Sequence, residues 1–107
     1  MAAEPIELQG LQAAVGVLLA SKWSVPILSE LADGTHRFNE LCTHLDGVSR
    51  RMLAVTLRRL ERDGLISRRV FPDVPVRVEY DLTPAGEDLF AALAPLAGWG
   101  LQHRPAA

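Results

Sequence analysis

The chain has 107 residues, 49% of them hydrophobic and 22% charged, with a formal net charge of −2. That is one domain's worth of sequence, residues 1–107, with enough apolar material for a core, so wholesale disorder is excluded. No apolar run reaches the ~18–20 residues of a membrane span, the acidic start MAAEPIELQG is no secretory signal, and one cysteine excludes an intrachain disulfide. The expectation is a soluble, cytoplasmic protein with no membrane partner.

In chain order, LQGLQAAVGVLLA places Leu8, Leu11, Val15, Leu18 and Leu19 at helical spacing and predicts a first helix. KWSVPILSELADG predicts a second, with Trp23, Ile27, Leu28 and Leu31 as its stripe, Pro26 in its first turn and Gly34 as its stop. Residues 35–37 read as a connector. A short third helix, FNELCTHL, shows Phe38, Leu41 and Leu45 on one face, and DGVS turns the chain at Gly47. Ser49 then caps a fourth helix with Leu53, Leu57 and Leu60 at i, i+4, i+7, ended by Asp63 and Gly64.

LISRRVF and VRVEYDL follow as two strand-like segments joined by PDVP. In the second, Val78, Tyr80 and Leu82 alternate with Arg77, Glu79 and Asp81, the pattern of a half-buried strand. TPAGEDLFAALAPLAGWG predicts a last helix capped by Thr83, with Pro84 at its first position, Glu87 reaching back as in a capping box, and a kink at Pro95. Helix, helix, helix–turn–helix, hairpin, helix is the order of a winged helix–turn–helix: mainly α, with a β-hairpin wing over residues 65–82. The apolar first and last helices of so small a core call for a second subunit.

Charge is segregated along this frame. Residues 1–36 sum to −3 and residues 78–107 to −3, whereas residues 37–77 hold nine arginines against five acids and sum to +4. Such segregation fits a localised nucleic-acid surface better than uniform decoration. On a helical wheel with Leu57 inward, Arg51, Val55, Arg58, Arg59 and Arg62 face outward, with Met52 at the edge. Arg50 lies nearer the core side, though its long side chain in the first turn has room to reach out. In a helix–turn–helix the second helix, here residues 49–63, enters the major groove N-terminus first. Ser49, Arg50, Arg51 and Val55 would then lie nearest the bases, Arg58, Arg59 and Arg62 near phosphates or the acids Glu61 and Asp63, and Arg68, Arg69 and Arg77 on the wing near the backbone or minor groove.

These residues carry a family resemblance. SKW at 21–23, RFNEL at 37–41, VSRRMLAVTLRRLERDGL at 48–65 and the run from Pro75 through VEY and LT to Gly86 resemble the HxlR-type winged helix–turn–helix regulators over residues 10–100. The resemblance implies a homodimeric bacterial transcription regulator, repressor or activator, on a pseudo-palindromic operator in double-stranded DNA. It puts Leu8, Leu11, Val15, Leu18, Leu89, Leu93, Leu96 and Trp99 in the dimer interface. Some family members sense oxidants through a cysteine about thirteen residues before the tryptophan; Gly10 stands there in this chain. The only thiol, Cys42, reads first as a small packed residue and is the sole candidate for redox sensing.

Other chemistry is thinly represented. Cys42 and His44, at i and i+2, do not share a helical face, and with His36 and His103 elsewhere they form no ligand motif, so no metal and no cofactor is expected. Phosphate loops and nucleophile elbows are missing, so an enzyme is not expected. Trp23 and Trp99 read as core or interface anchors, and a pocket between subunits is where a small-molecule effector would sit. The alternative function is a dimeric ligand-binding or protein-interaction module that keeps the fold without operator recognition.

Overall fold

A computed structural model describes residues 5–104. The helices are α1 (Leu8–Leu19), α2 (Ser24–Ala32), α3 (Phe38–His44), α4 (Arg50–Arg62), α5 (Pro84–Ala92) and α6 (Ala94–His103). Three strands, β1 (His36–Arg37), β2 (Ile66–Phe71) and β3 (Arg77–Leu82), form an antiparallel sheet in the order β1-β3-β2. The architecture is the expected mainly helical one with a hairpin wing.

One core joins α2, α3, α4 and the root of the wing. Ile27, Leu28 and Leu31 of α2, Leu41 of α3, and Leu53, Leu57 and Leu60 of α4 are buried together with Leu65, Ile66 and Tyr80 at the root of the wing. The leucine stripe of α4 is inside as its spacing required, and each such side chain contributes about 1.5–3 kcal/mol on leaving water. Ser49 Oγ accepts from the Met52 amide 3.0 Å away. At the other end Gly64, at φ +78°, turns the chain so that the Leu65 amide reaches the Leu60 carbonyl and the Gly64 amide reaches Glu61, both at 3.0 Å. This Schellman closure delivers Leu65 straight into the core, so that only three residues separate α4 from β2.

Three expectations change. The connector at 35–37 holds a strand: His36 pairs with Tyr80 and Arg37 with Glu79, so the hairpin is the larger part of a three-stranded sheet. The last helix is broken into α5 and α6 at Leu93, because Pro95 has no amide to give and its ring crowds the preceding turn. Glu87 does not complete a capping box at α5, since the third helical position there is Gly86, which donates to Thr83 Oγ1 at 3.1 Å. The reaching-back glutamate is instead Glu40 of α3, which accepts from the Arg37 amide at 2.9 Å.

Gly86 also explains how α5 meets the wing. A Cβ on it would fall 2.0 Å from the Leu65 carbonyl oxygen, so only glycine lets α5 approach the root of β2 this closely. Thr83 clamps the same corner, its amide donating to Leu65 at 3.0 Å and its hydroxyl to Gly64 at 2.6 Å. α1 and α6, by contrast, contain no buried residue. The Cα radius of gyration is 15.6 Å, against roughly 13 Å for a compact domain of this length. No single helix among the described residues is long and apolar enough to cross a membrane.

Candidate nucleic-acid interface

The turn of residues 45–49 sets α4 across α3, and the amphipathic pattern of α4 then decides which side chains face out. Arg51, Val55, Arg58, Arg59 and Arg62 are all exposed, opposite Leu53, Leu57 and Leu60. None of the four arginines makes an ion pair among the described residues, although Glu61 and Asp63 are their chain neighbours. Met52 and Val55, 42% and 44% exposed, lie beside Arg51 as apolar contacts.

Arg50 is placed differently. Its guanidinium donates to Asn39 Oδ1 at 3.1 Å, lies 3.8 Å from Cys42 Sγ, and sits 4.9 Å from the centre of the Phe38 ring. The side chain is exposed, and α3 supplies an acceptor and an aromatic face that hold it. Cys42, half-buried, is accordingly enclosed by α3 and the Arg50 side chain.

The wing arginines divide as well. Arg69 donates to Asp81 Oδ2 at 3.0 Å and lies 3.9 Å from Glu79. Arg77 lies between Asp73 and Glu79 at 3.4 and 3.6 Å, with its guanidinium 4.2 Å from the Phe71 ring centre. Asp81 also accepts from Thr35, joining the wing to the chain before β1. Arg68 makes no ion pair among the described residues. With Arg58 it lines a groove of about 350 Å³ between α4 and the wing root, completed by Ala54, Glu61 and Tyr80. The surface that can meet an anion therefore comprises Ser49, Arg51, Arg58, Arg59, Arg62 and Arg68.

Sequence patterning did not single out Thr56, which is 1% exposed at the centre of α4. Its hydroxyl donates to the Met52 carbonyl at 2.8 Å and lies 3.2 Å from Ser21 Oγ, which accepts from the Trp23 amide at 3.0 Å. This chain of bonds pins the start of α2 to the middle of α4. A threonine between apolar helix positions was the available signal, but its partner lies 35 residues away.

The second candidate surface is apolar. Leu8, Leu11 and Val15 of α1 and Leu96 and Trp99 of α6 are exposed, at 60, 46, 39, 62 and 51%. Val15, Leu18, Leu19, Val25, Leu93 and Leu96 line a shared groove, while Leu18 and Leu89 also pack on the core from its edge. Trp23 is half-buried against the core, and Trp99 stacks on His103 with ring centres 4.8 Å apart.

Residues 18–107 match the family model described as HxlR-like helix-turn-helix. The chain is 48% identical over 81 residues to the HTH-type transcriptional regulator YtfH of Escherichia coli (strain K12), a match covering 76% of this chain and 64% of that protein. An HTH-type transcriptional regulator of Methanothermobacter thermautotrophicus is 44% identical over 85 residues, 79% of this chain and 65% of the relative. The matches thus span slightly less than two thirds of these relatives' length. Among solved structures, a transcriptional regulator of the MarR family from Enterococcus faecalis V583 superposes with a TM-score of 0.85 at 39% identity, covering 94% of this chain and 91% of that one. With the helix–turn–helix, the wing and the segments at 21–23, 37–41, 48–65 and 75–86 in their places, the chain belongs to the HxlR-like helix-turn-helix family.

Proposed function

We propose that this protein is a transcription regulator that binds double-stranded DNA as a homodimer, with α4 in the major groove and the wing beside it. The observation that carries this is the outward face of α4, where four arginines without acid partners among the described residues stand opposite a buried leucine stripe. Helix packing presents them, and unpaired guanidinium groups are what phosphates and guanine edges bind. Arg51, beside Ser49, Met52 and Val55 in the first turns, is the base reader; Arg58, Arg59, Arg62 and Arg68 hold the backbone. Arg50, Arg69 and Arg77 shape the surface from within, through Asn39, Asp81, Asp73 and Glu79.

The apolar faces of α1 and α6 take a second copy of the chain, as the lack of any buried residue on either helix supports. Two-fold symmetry would then set two α4 helices on successive major grooves about 34 Å apart, on a pseudo-palindromic site. Val15→Glu should split the dimer, with sedimentation at micromolar concentration as the measure; an unchanged dimer would move the interface elsewhere.

The deciding experiment is binding to the promoter DNA next to the protein's own gene, measured by fluorescence anisotropy across salt concentrations. Eight phosphate contacts per dimer, four from each chain, predict an affinity falling with a log–log slope of about −7. A flat salt dependence, or equal affinity for promoter and random DNA, would overturn operator recognition and leave an interaction module that keeps the fold.

A further inference from the structure

Away from α4, three side chains that the sequence keeps apart converge. Glu30 comes from the last turns of α2, His36 from β1 and His44 from the last turn of α3. Glu30 Oε2 lies 3.6 Å from His36 Nε2 and 3.4 Å from His44 Nδ1, and one ligand atom from each of the three falls within 4.8 Å of the others. The imidazoles meet edge to face, with ring centres 5.5 Å apart at 82°.

Two features distinguish this from a chance pair of ion contacts. His36 Nδ1 lies 2.8 Å from the Gly34 carbonyl oxygen, and a carbonyl only accepts, so Nδ1 carries a proton and Nε2 is the ring atom turned toward Glu30. A backbone carbonyl orienting the far nitrogen is how proteins fix a metal-ligating histidine. The separations also suit an ion: bonds of about 2.0–2.1 Å at tetrahedral angles place neighbouring ligand atoms about 3.3–3.4 Å apart, close to both carboxylate–nitrogen distances. Burial grades across the cluster, with the side chains of His36, Glu30 and His44 11, 25 and 44% exposed, so one side faces water.

From this geometry we infer a binding site for a divalent transition ion of the zinc class, held by Glu30, His36 Nε2 and His44 Nδ1. Two imidazoles and one carboxylate select such an ion over calcium or magnesium, which prefer all-oxygen shells. With three protein ligands, the fourth position, on the open side by His44, goes to water, and such a site exchanges its ion with solution. A bound ion would tie α2 and β1, which is paired to the wing strand β3, to the first helix of the helix–turn–helix. The site stands independently of the DNA reading.

The test uses Co2+ as a spectroscopic probe on the tag-free chain, followed by displacement with Zn2+. One equivalent per chain should give the visible absorption of four-coordinate Co2+, and Zn2+ should abolish it and raise the melting temperature. His44→Gln, at the exposed edge and outside the core, should weaken Co2+ binding tenfold or more and remove the thermal shift, and Glu30→Gln should act alike. Cys42→Ser and His103→Gln should leave both readouts unchanged. Octahedral Co2+ only, or binding lost with Cys42→Ser or His103→Gln while His44→Gln keeps it, would overturn the site.

Discussion

On α4, Arg51, Arg58, Arg59 and Arg62 face outward and meet no carboxylate among the described residues; on the wing, Arg69 lies 3.0 Å from Asp81 and Arg77 lies between Asp73 and Glu79. Both groups belong to one basic stretch of sequence, and local geometry separates them. A strand sets each residue directly opposite a partner, as Arg69 is to Glu79 in the β2–β3 register, and the diagonal neighbour Asp81 is also within reach. On the helix, Glu61 and Asp63 lie within one turn of Arg58 and Arg59, yet neither pair closes. Charge counted along a chain is thus not charge available to a ligand: Arg69 and Arg77 hold the wing in shape, whereas Arg51, Arg58, Arg59 and Arg62 on the helix, and Arg68 on β2, have no acid partner among the described residues.

The strongest way to break this contrast is to remove the frame that imposes it. Gly86→Ala drives a methyl group into the Leu65 carbonyl at the corner where α4, β2 and α5 meet. Overpacking against backbone should cost about 3 kcal/mol and lower the melting temperature by more than about 10 °C, measured at fixed protein concentration. A melting temperature unchanged within a few degrees would mean that α5 does not seat the wing. Next comes Arg51→Ala, which should cost about 1–3 kcal/mol on the operator, relax preference at one base pair and leave random-DNA affinity nearly unchanged. Arg68→Ala should act differently, weakening all sequences alike and reducing the salt slope by about 1 per subunit. Equal losses on specific and random DNA for both variants would erase the division between reading and holding.

Much of this was legible from residues close in sequence. The α4 stripe, Ser49 as its cap, Gly64 as its end and the hairpin after it all follow from spacings within a few positions, where periodicity and capping act. The remainder depends on partners far along the chain. β1 is only two residues long and exists because it pairs with Tyr80 and Glu79, more than forty positions on. A helical wheel sets Arg50 nearer the core side, but it cannot supply Asn39 and Phe38, eleven and twelve residues back, which hold the exposed side chain. Sequence spacing sets His44 beside Cys42, two residues before it, whereas the fold gives it Glu30 and His36. Glu87 follows Thr83 closely enough to read as a capping glutamate, yet Gly86 is the third helical position of α5, and the glutamate that reaches back is Glu40 at α3.

The smallest effect gives the most discriminating test of the contrast. Arg69 bears the same charge as Arg68 and is its neighbour on β2, so net charge alone predicts equal losses of DNA affinity when either becomes alanine. The structure predicts otherwise: Arg69 is already engaged by Asp81, and its removal should change affinity for any DNA by less than about twofold. Its cost should appear in stability instead, at no more than about 1 kcal/mol, since an ion pair more than half exposed on the arginine side is strongly screened. Adding Asp81→Asn should then recover part of that stability, because the carboxylate is left beside Glu79 without its partner. If Arg69→Ala weakens DNA binding as much as Arg68→Ala, the wing's ion pairs open on binding, and the distinction between structural and DNA-facing arginines holds only for the free protein.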